Sequence, residues 1–252
     1  GAGVGAIARA YTIAREATQM RELWSDVERL DNRAPAALQY EMLHLSGRLL
    51  RYLTYWALAN LRDLDIERAV SALQPGLREL QHELPTLLAG LESEQFRRAL
   101  ERLESQGLPT RLARRVAGMT ALQSGVDIVE VARGCSLPVA ATARAYFELG
   151  ARTGIDWIRS SLDRLPVDGH WQAIARATLR EEAYGLQRRL CASALAKARC
   201  GDLGPALEGW LAGRGREMES LRRTVEEMRG LGQPDFATLS VALQAVRRLA
   251  ES

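Results

Sequence analysis

Catalysis and metal binding require reactive side chains spaced so that a fold can bring them to one point. The acid pairs Glu181-Glu182 and Glu226-Glu227 are adjacent, so on a helix their carboxylates diverge by about 100° and suit solvent rather than a shared proton. His44, His82 and His170 lie far apart, and none has a second His or Cys three or four positions away, the spacing that aims two helical ligands at one zinc ion. Cys135, Cys191 and Cys200 form no CxxC pair; the last two fall on different faces of a helix, too distant to bridge. No serine sits in a nucleophile elbow and no cysteine lies near a histidine in sequence. The residues therefore nominate no catalytic, no cofactor-binding and no metal-ligating group.

Two further patterns are weighed and set aside. Gly1-Ala2-Gly3-Val4-Gly5 has the glycine density of a dinucleotide loop, but such a loop follows a strand and opens a helix that holds the pyrophosphate; here it reads as a loose entry into the first helix. Tyr11, Trp24, Tyr146, Trp157 and Trp171 recur on helical segments and read as core rather than as a ligand-binding set.

The elements that would position any site are all helical, and a chain of 252 residues buries roughly 70–75% of its unfolded surface without disulfides or metals. Apolar residues recur at three and four over 6–30, with Ile7, Tyr11, Ala14, Leu23, Trp24, Val27 and Leu30 on one stripe. A long helix follows from Pro35 to about 61, apolar on more than one face through Tyr40, Leu43, Leu50, Leu53, Tyr55, Trp56 and Leu58, which suggests a central place in the bundle. Asp65 caps a short helix that Pro75 and then Pro85 interrupt. Charged helix 93–105 ends at Gly107, and Pro109 opens the next, to about 122. A short helix over 126–133 and a turn over 134–137 lead to a helix opened by Pro138, with Ser136 as its cap, and a continuation over 155–165. Asp168 caps a long helix to about 199, stopped by Gly201 and Gly204. Helices over 205–229, weakened by Gly209, Gly213 and Gly215, and over 235–250 complete the chain. The fold class is all-α, a multi-helix bundle of roughly ten to twelve helices joined by short connections. It reads as a single all-helical domain over 1–252, loosely divided at 1–60, 61–122 (a peripheral arm), 123–199 and 200–252.

An internal duplication relates 3–60 to 138–199. Ala8, Arg9, Ala10 and Tyr11 fall on Ala143, Arg144, Ala145 and Tyr146, each 135 positions later, and Arg29-Leu30 fall on Arg164-Leu165. Each copy runs helix, short Asp/Pro-bearing turn, then long helix. The helix over 126–133 precedes the second copy and has no counterpart before the first, which suggests a fragment of a longer chain.

Net charge and cysteine usage bound the setting. A formal charge of +3 with acids and bases interleaved marks solvated helix faces, implying neither a nucleic-acid nor a membrane partner. Apolar runs break well short of the roughly 20 residues of a membrane span, and an odd cysteine count without a signal segment reads as reduced thiols in the cytoplasm. The helix, turn and helix over 126–149 have the proportions of a DNA-reading motif. However, the second helix, PVAATARAYFEL, offers Arg144 alone against Glu148, too little to hold phosphates and base edges. From residues alone the chain is a helical interaction domain.

Two stretches extend that reading. ARAYTIAREATQMRELWSDVERLDNRAPAALQYEM and DIVEVARGCSLPVAATARAYFELGARTGIDWIRSSLDRLPVDGHWQAIAR resemble the C-terminal helical region of the large bacterial NAD-specific glutamate dehydrogenases, most specifically in LDNRAPAALQYEM and LPVDGHWQAIAR. The likeness covers most of the chain, loosest over 61–108 and after about 200. It implies a parent oxidoreductase that converts glutamate to 2-oxoglutarate and ammonia with reduction of NAD, its active site in an upstream domain. That chemistry needs an ammonium side chain, an acid/base carboxylate and a glycine-rich βαβ unit. The sole lysine, Lys197, lies mid-helix and no βαβ pattern exists, so no catalytic residue is carried over and NAD belongs to the parent, not to this fragment. The implied partners are the upstream catalytic domain and other subunits of a homo-oligomer. A self-standing helical adaptor is the alternative, and a helix-turn-helix regulator the reading the residues support least.

Overall fold

The computed structural model describes residues 3–30, 34–199 and 202–252, and every regular element among them is an α-helix. Thirteen are present among the described residues: α1 (Val4–Ala17), α2 (Met20–Glu28), α3 (Ala36–Asn60), α4 (Ile66–Leu87), α5 (Gly90–Ser105), α6 (Thr110–Leu122), α7 (Gly125–Cys135), α8 (Val139–Thr153), α9 (Ile155–Arg164), α10 (His170–Leu195), α11 (Leu203–Ala212), α12 (Gly215–Gly230) and α13 (Phe236–Glu251). They form two compact units, Gly1–Thr86 with Ser93–Val129, and Leu87–Glu92 with Glu130–Ser252.

In the first unit α1 packs along α3, and α6 packs on α2 and α3. The expected single helix over 6–30 is two. The Thr18 hydroxyl donates to the Ala14 carbonyl at 2.8 Å, and Gln19 takes a left-handed conformation, φ 52°, which ends α1 and redirects the chain into α2. Three contacts fasten that corner: Gln74 Nε2 donates to the Glu16 carbonyl at 3.0 Å, Arg78 Nε to Gln19 Oε1 at 3.1 Å, and Arg115 to the Gln19 carbonyl at 3.3 Å. Burial pulls the Arg115 pKa down, and Asp26, at 3.3 Å, opposes that shift.

Proline does not divide α4. Pro75 and Pro85 both lie inside it, each at a cost of about 3 kcal/mol. Leu73, Leu77, Leu80, Leu84 and Leu87 are all buried on one stripe, and at roughly 1.5–3 kcal/mol each they outweigh both breaks. Asp65 does accept from the Arg68 N–H at 2.9 Å, as a cap should.

The second unit repeats the first pattern. The helices α8, α9 and α10 begin at 139, 155 and 170 where α1, α2 and α3 begin at 4, 20 and 36. Thr153 donates to the Leu149 carbonyl at 2.7 Å, and Gly154 turns left-handed at φ 72°, 135 positions after Thr18, Ala14 and Gln19. Against this core α13 packs on α9 and α10, α11 on α8 and α10, and α12 on α13.

Four sequence expectations need correction here. Ser136 is not the cap of α8: it sits left-handed at φ 56° and ends α7, with the Leu137 N–H reaching back to the Ala132 carbonyl at 2.8 Å. Asp168 does not cap α10; instead Gln172 Oε1 accepts from the Asp168 backbone N–H at 2.7 Å. The long helix ends at Leu195 rather than near 199, and its expected stop at Gly201 lies outside the described residues, as do Gly1, Asp31, Asn32, Arg33 and Cys200. Finally, the helix over 205–229 breaks at Gly213 and Arg214 into α11 and α12. Together with the corner at Gln19, that break gives thirteen helices among the described residues, against roughly ten to twelve expected.

Gly154 must accept both a left-handed φ and the side chain of Val225, whose Cγ1 would lie 2.8 Å from an added Cβ. Gly154→Ala is therefore expected to destabilise the second unit by about 1–3 kcal/mol in urea unfolding; an unchanged midpoint would show that the corner relaxes without strain.

Candidate functional site

An apolar concavity lies in the first unit. Ile7 and Tyr11 of α1, Trp24 of α2 and one face of α3 line an open groove of about 560 Å³. On α3 that face runs from Leu43 through Gly47, Leu50 and Arg51 to Tyr55 and Leu58, the i, i+4, i+7 spacing of one helical stripe. The opposite side of α3, with Leu38, Leu49, Leu53 and Trp56, is buried, and the Trp56 indole N–H donates to Asp127 Oδ1 at 3.1 Å.

The groove is open where its counterpart is closed. Tyr11 is 40% exposed while Tyr146, 135 positions later, is 0% exposed; Tyr55 is 69% exposed and its counterpart Leu190 is 0%. The counterpart of Gly47 is Glu182, to which Arg247 of α13 donates at 2.6 Å, and the counterpart of Leu58 is Ser193, which accepts from the Trp210 indole of α11 at 3.1 Å. In the second unit, then, α11 and α13 occupy the face that the first unit leaves bare.

Trp24 corresponds to Arg159, and the exchange is chemical. Arg159 is buried beneath the ring of Tyr184, its guanidinium carbon 4.7 Å from the ring centre, and forms a short ion pair with buried Glu92. Asp156 accepts from the Leu91 N–H at 3.0 Å, which seats the segment bearing Glu92. Burial pushes the Glu92 carboxyl up, Arg159 pulls it down, and Asp156 adds to the rise. Burial would lower the Arg159 pKa, but the surrounding Glu92, Tyr184, Tyr146 and Asp156 hold it above its ordinary value and charged. The ion pair and the Asp156 contact fix the segment bearing Glu92 against α9.

The remaining reactive residues stay dispersed. His44 stacks on Tyr40 with ring centres 6.4 Å apart, and His170 lies 5.8 Å from Trp171. Cys135 and Cys191 are unbridged, with the Cys191 thiol pushed up by burial, and no metal-holding group of three His, Cys, Asp or Glu is assembled among the described residues. Of the aromatics read as core, Tyr146 is buried, Tyr11 and Trp24 line the groove, and Trp171 is 79% exposed. The sequence did carry the signal for the groove, in the second apolar face of α3. Two apolar faces imply a central place in the bundle, but among the described residues Leu43 and Tyr55 on the second face stay exposed.

Residues 1–248 match the family described as glutamate dehydrogenase, C-terminal. The chain belongs to that family. It is similar to the NAD-specific glutamate dehydrogenase of Halomonas elongata, 33% identical over 100% of this chain and 16% of the relative. With that of Pseudomonas aeruginosa it shares 30% identity over 98% of this chain and 15% of the relative, and with that of Mycobacterium tuberculosis 34% over 58% and 9%. The chain thus spans about a sixth of the length of the first two relatives, at 16% and 15%. No described helix of this family member is long and apolar enough to cross a membrane.

Two outcomes follow from the buried pair. Arg159→Met strands a buried carboxylate and is expected to cost about 3–5 kcal/mol, whereas Glu92→Leu with Arg159→Met together should restore most of it; equal losses in urea unfolding for single and double variants would show that the pair is not coupled. Because burial raises Glu92, the folded state keeps a proton that the unfolded chain has released. Stability should therefore fall as pH climbs from the ordinary carboxylate range to Glu92's raised value. Glu92→Gln should remove that decline, as read from unfolding midpoints across acidic pH.

Proposed function

We propose that this chain is a non-catalytic helical domain of an NAD-dependent glutamate dehydrogenase, packing on the catalytic part of the enzyme or on another subunit to support assembly and regulation. The parent reaction is oxidation of L-glutamate with water to 2-oxoglutarate and ammonia, NAD being reduced to NADH. The observation that carries this reading is the family match across 1–248, joined to relatives of which the chain is only a small part.

The residues do not fit NAD. A dinucleotide is held at the loop between a strand and a helix, and no strand occurs among the described residues. Lys197, the sole lysine of the chain, is exposed in the turn just beyond α10. The chemistry of the parent is accordingly assigned to a separate, upstream catalytic domain of a cytoplasmic homo-oligomer. The exposed groove supports an interaction role over a merely structural one, and it also suits the alternative of a self-standing adaptor.

Truncating the full-length enzyme just before residue 1 tests this. Loss of NADH formation from glutamate and a fall in molar mass by light scattering, both restored by adding the fragment, is the expected result. Unchanged mass and turnover would reject the assembly role and move the adaptor ahead.

A further inference from the structure

We infer that the groove of the first unit is the seat of an amphipathic helix supplied by the remainder of the enzyme polypeptide, taking the place that α13 takes in the second unit. This rests on the reading of the chain as one domain of a larger glutamate dehydrogenase, and it names the partner surface of that domain.

The internal repeat is the first argument. Two copies of one three-helix motif share helix starts to within one residue, the Thr back-bond and the left-handed corner. One copy is closed by α11 and by α13, whose Leu239, Ala242, Leu243, Val246 and Leu249 are buried. The other leaves Tyr11 and Tyr55 in water. The second copy carries covering helices over this face even where its own residues are Glu182 and Ser193, and the first copy's stripe, with Leu43, Leu50, Tyr55 and Leu58, is the more apolar of the two and calls for a cover at least as strongly.

Charge selects the occupant. In the closed copy the cation is on the covering helix, Arg247, and the acid is on the motif, Glu182. In the open copy Gly47 replaces Glu182, and one turn on stands Arg51, exposed and without an ion-pair partner among the described residues. The occupant is thus a helix with apolar residues at i, i+3, i+4, i+7 and i+10, as in α13, and a carboxylate on its groove-facing edge to meet Arg51. Its source is the same polypeptide, since the relatives carry more than four-fifths of their length outside the matched part, 16% and 15% being matched.

Photo-crosslinking in the full-length enzyme tests this. Tyr55→p-benzoylphenylalanine changes a side chain already in solvent, so folding is unaffected; after irradiation, mass spectrometry identifies the attached peptide. The expected product joins position 55 to an enzyme peptide outside residues 1–252 with that apolar spacing, and Arg51→Glu lowers its yield several-fold. A product confined to residues 1–252, a product with a different protein, or no product would each overturn the inference. An enzyme that needs the domain for mass and turnover yet gives no such product loses the groove assignment alone. An enzyme indifferent to truncation loses the assembly reading, whatever the crosslink shows.

Discussion

A helix in water can hide only the faces its neighbours cover, and each long helix here carries apolar side chains on more faces than its own three-helix motif can reach. Over the C-terminal half of α10 the excess is met by α13 and α11, with Leu186 and Leu190 fully buried, while Trp171 and Ile174 near its start stay exposed. In α3 the side toward α1 and α6 is covered, while Leu43 and Tyr55 remain exposed. Since apolar burial contributes about 25 cal/mol per Å², a bare stripe of this kind is an unmet interaction rather than a neutral surface.

The motif itself depends on a corner. Both copies end their first helix with a threonine that bonds back one turn and a residue in the left-handed region. One copy uses glycine, which adopts that conformation without strain. The other uses Gln19, held there by Gln74, Arg78 and Arg115 from neighbouring helices. The corner brings the second helix back beside the other two, so that Trp24 joins Tyr11 and Tyr55 around the groove.

At the position where the first copy has Trp24 the second has Arg159, and the change accompanies opposite fates. Arg159 is sealed with Glu92 and two tyrosines in a buried network. Such a pair contributes little net stability but enforces one arrangement, because removing either partner strands the other. Trp24 faces an apolar concavity that no described helix fills. One copy is closed; the other keeps part of an apolar face exposed among the described residues.

The sequence alone determined the all-helical class, the repeat at 135 positions and most helix limits. Each rests on local periodicity or on a spacing that survives without knowledge of contacts, as with Asp65, which does cap its helix. It misjudged Pro75 and Pro85 because a leucine stripe outweighs a local break only once it is buried, and it missed the corner at Gln19 because nothing local in that residue favours a left-handed turn. The family was legible in LDNRAPAALQYEM and LPVDGHWQAIAR. The groove was legible only as a second apolar face on α3. Which face a helix buries is decided by the helices laid against it, and those contacts join residues far apart in the chain; only the tertiary structure distinguished the covered stripe of α10 from the bare one of α3.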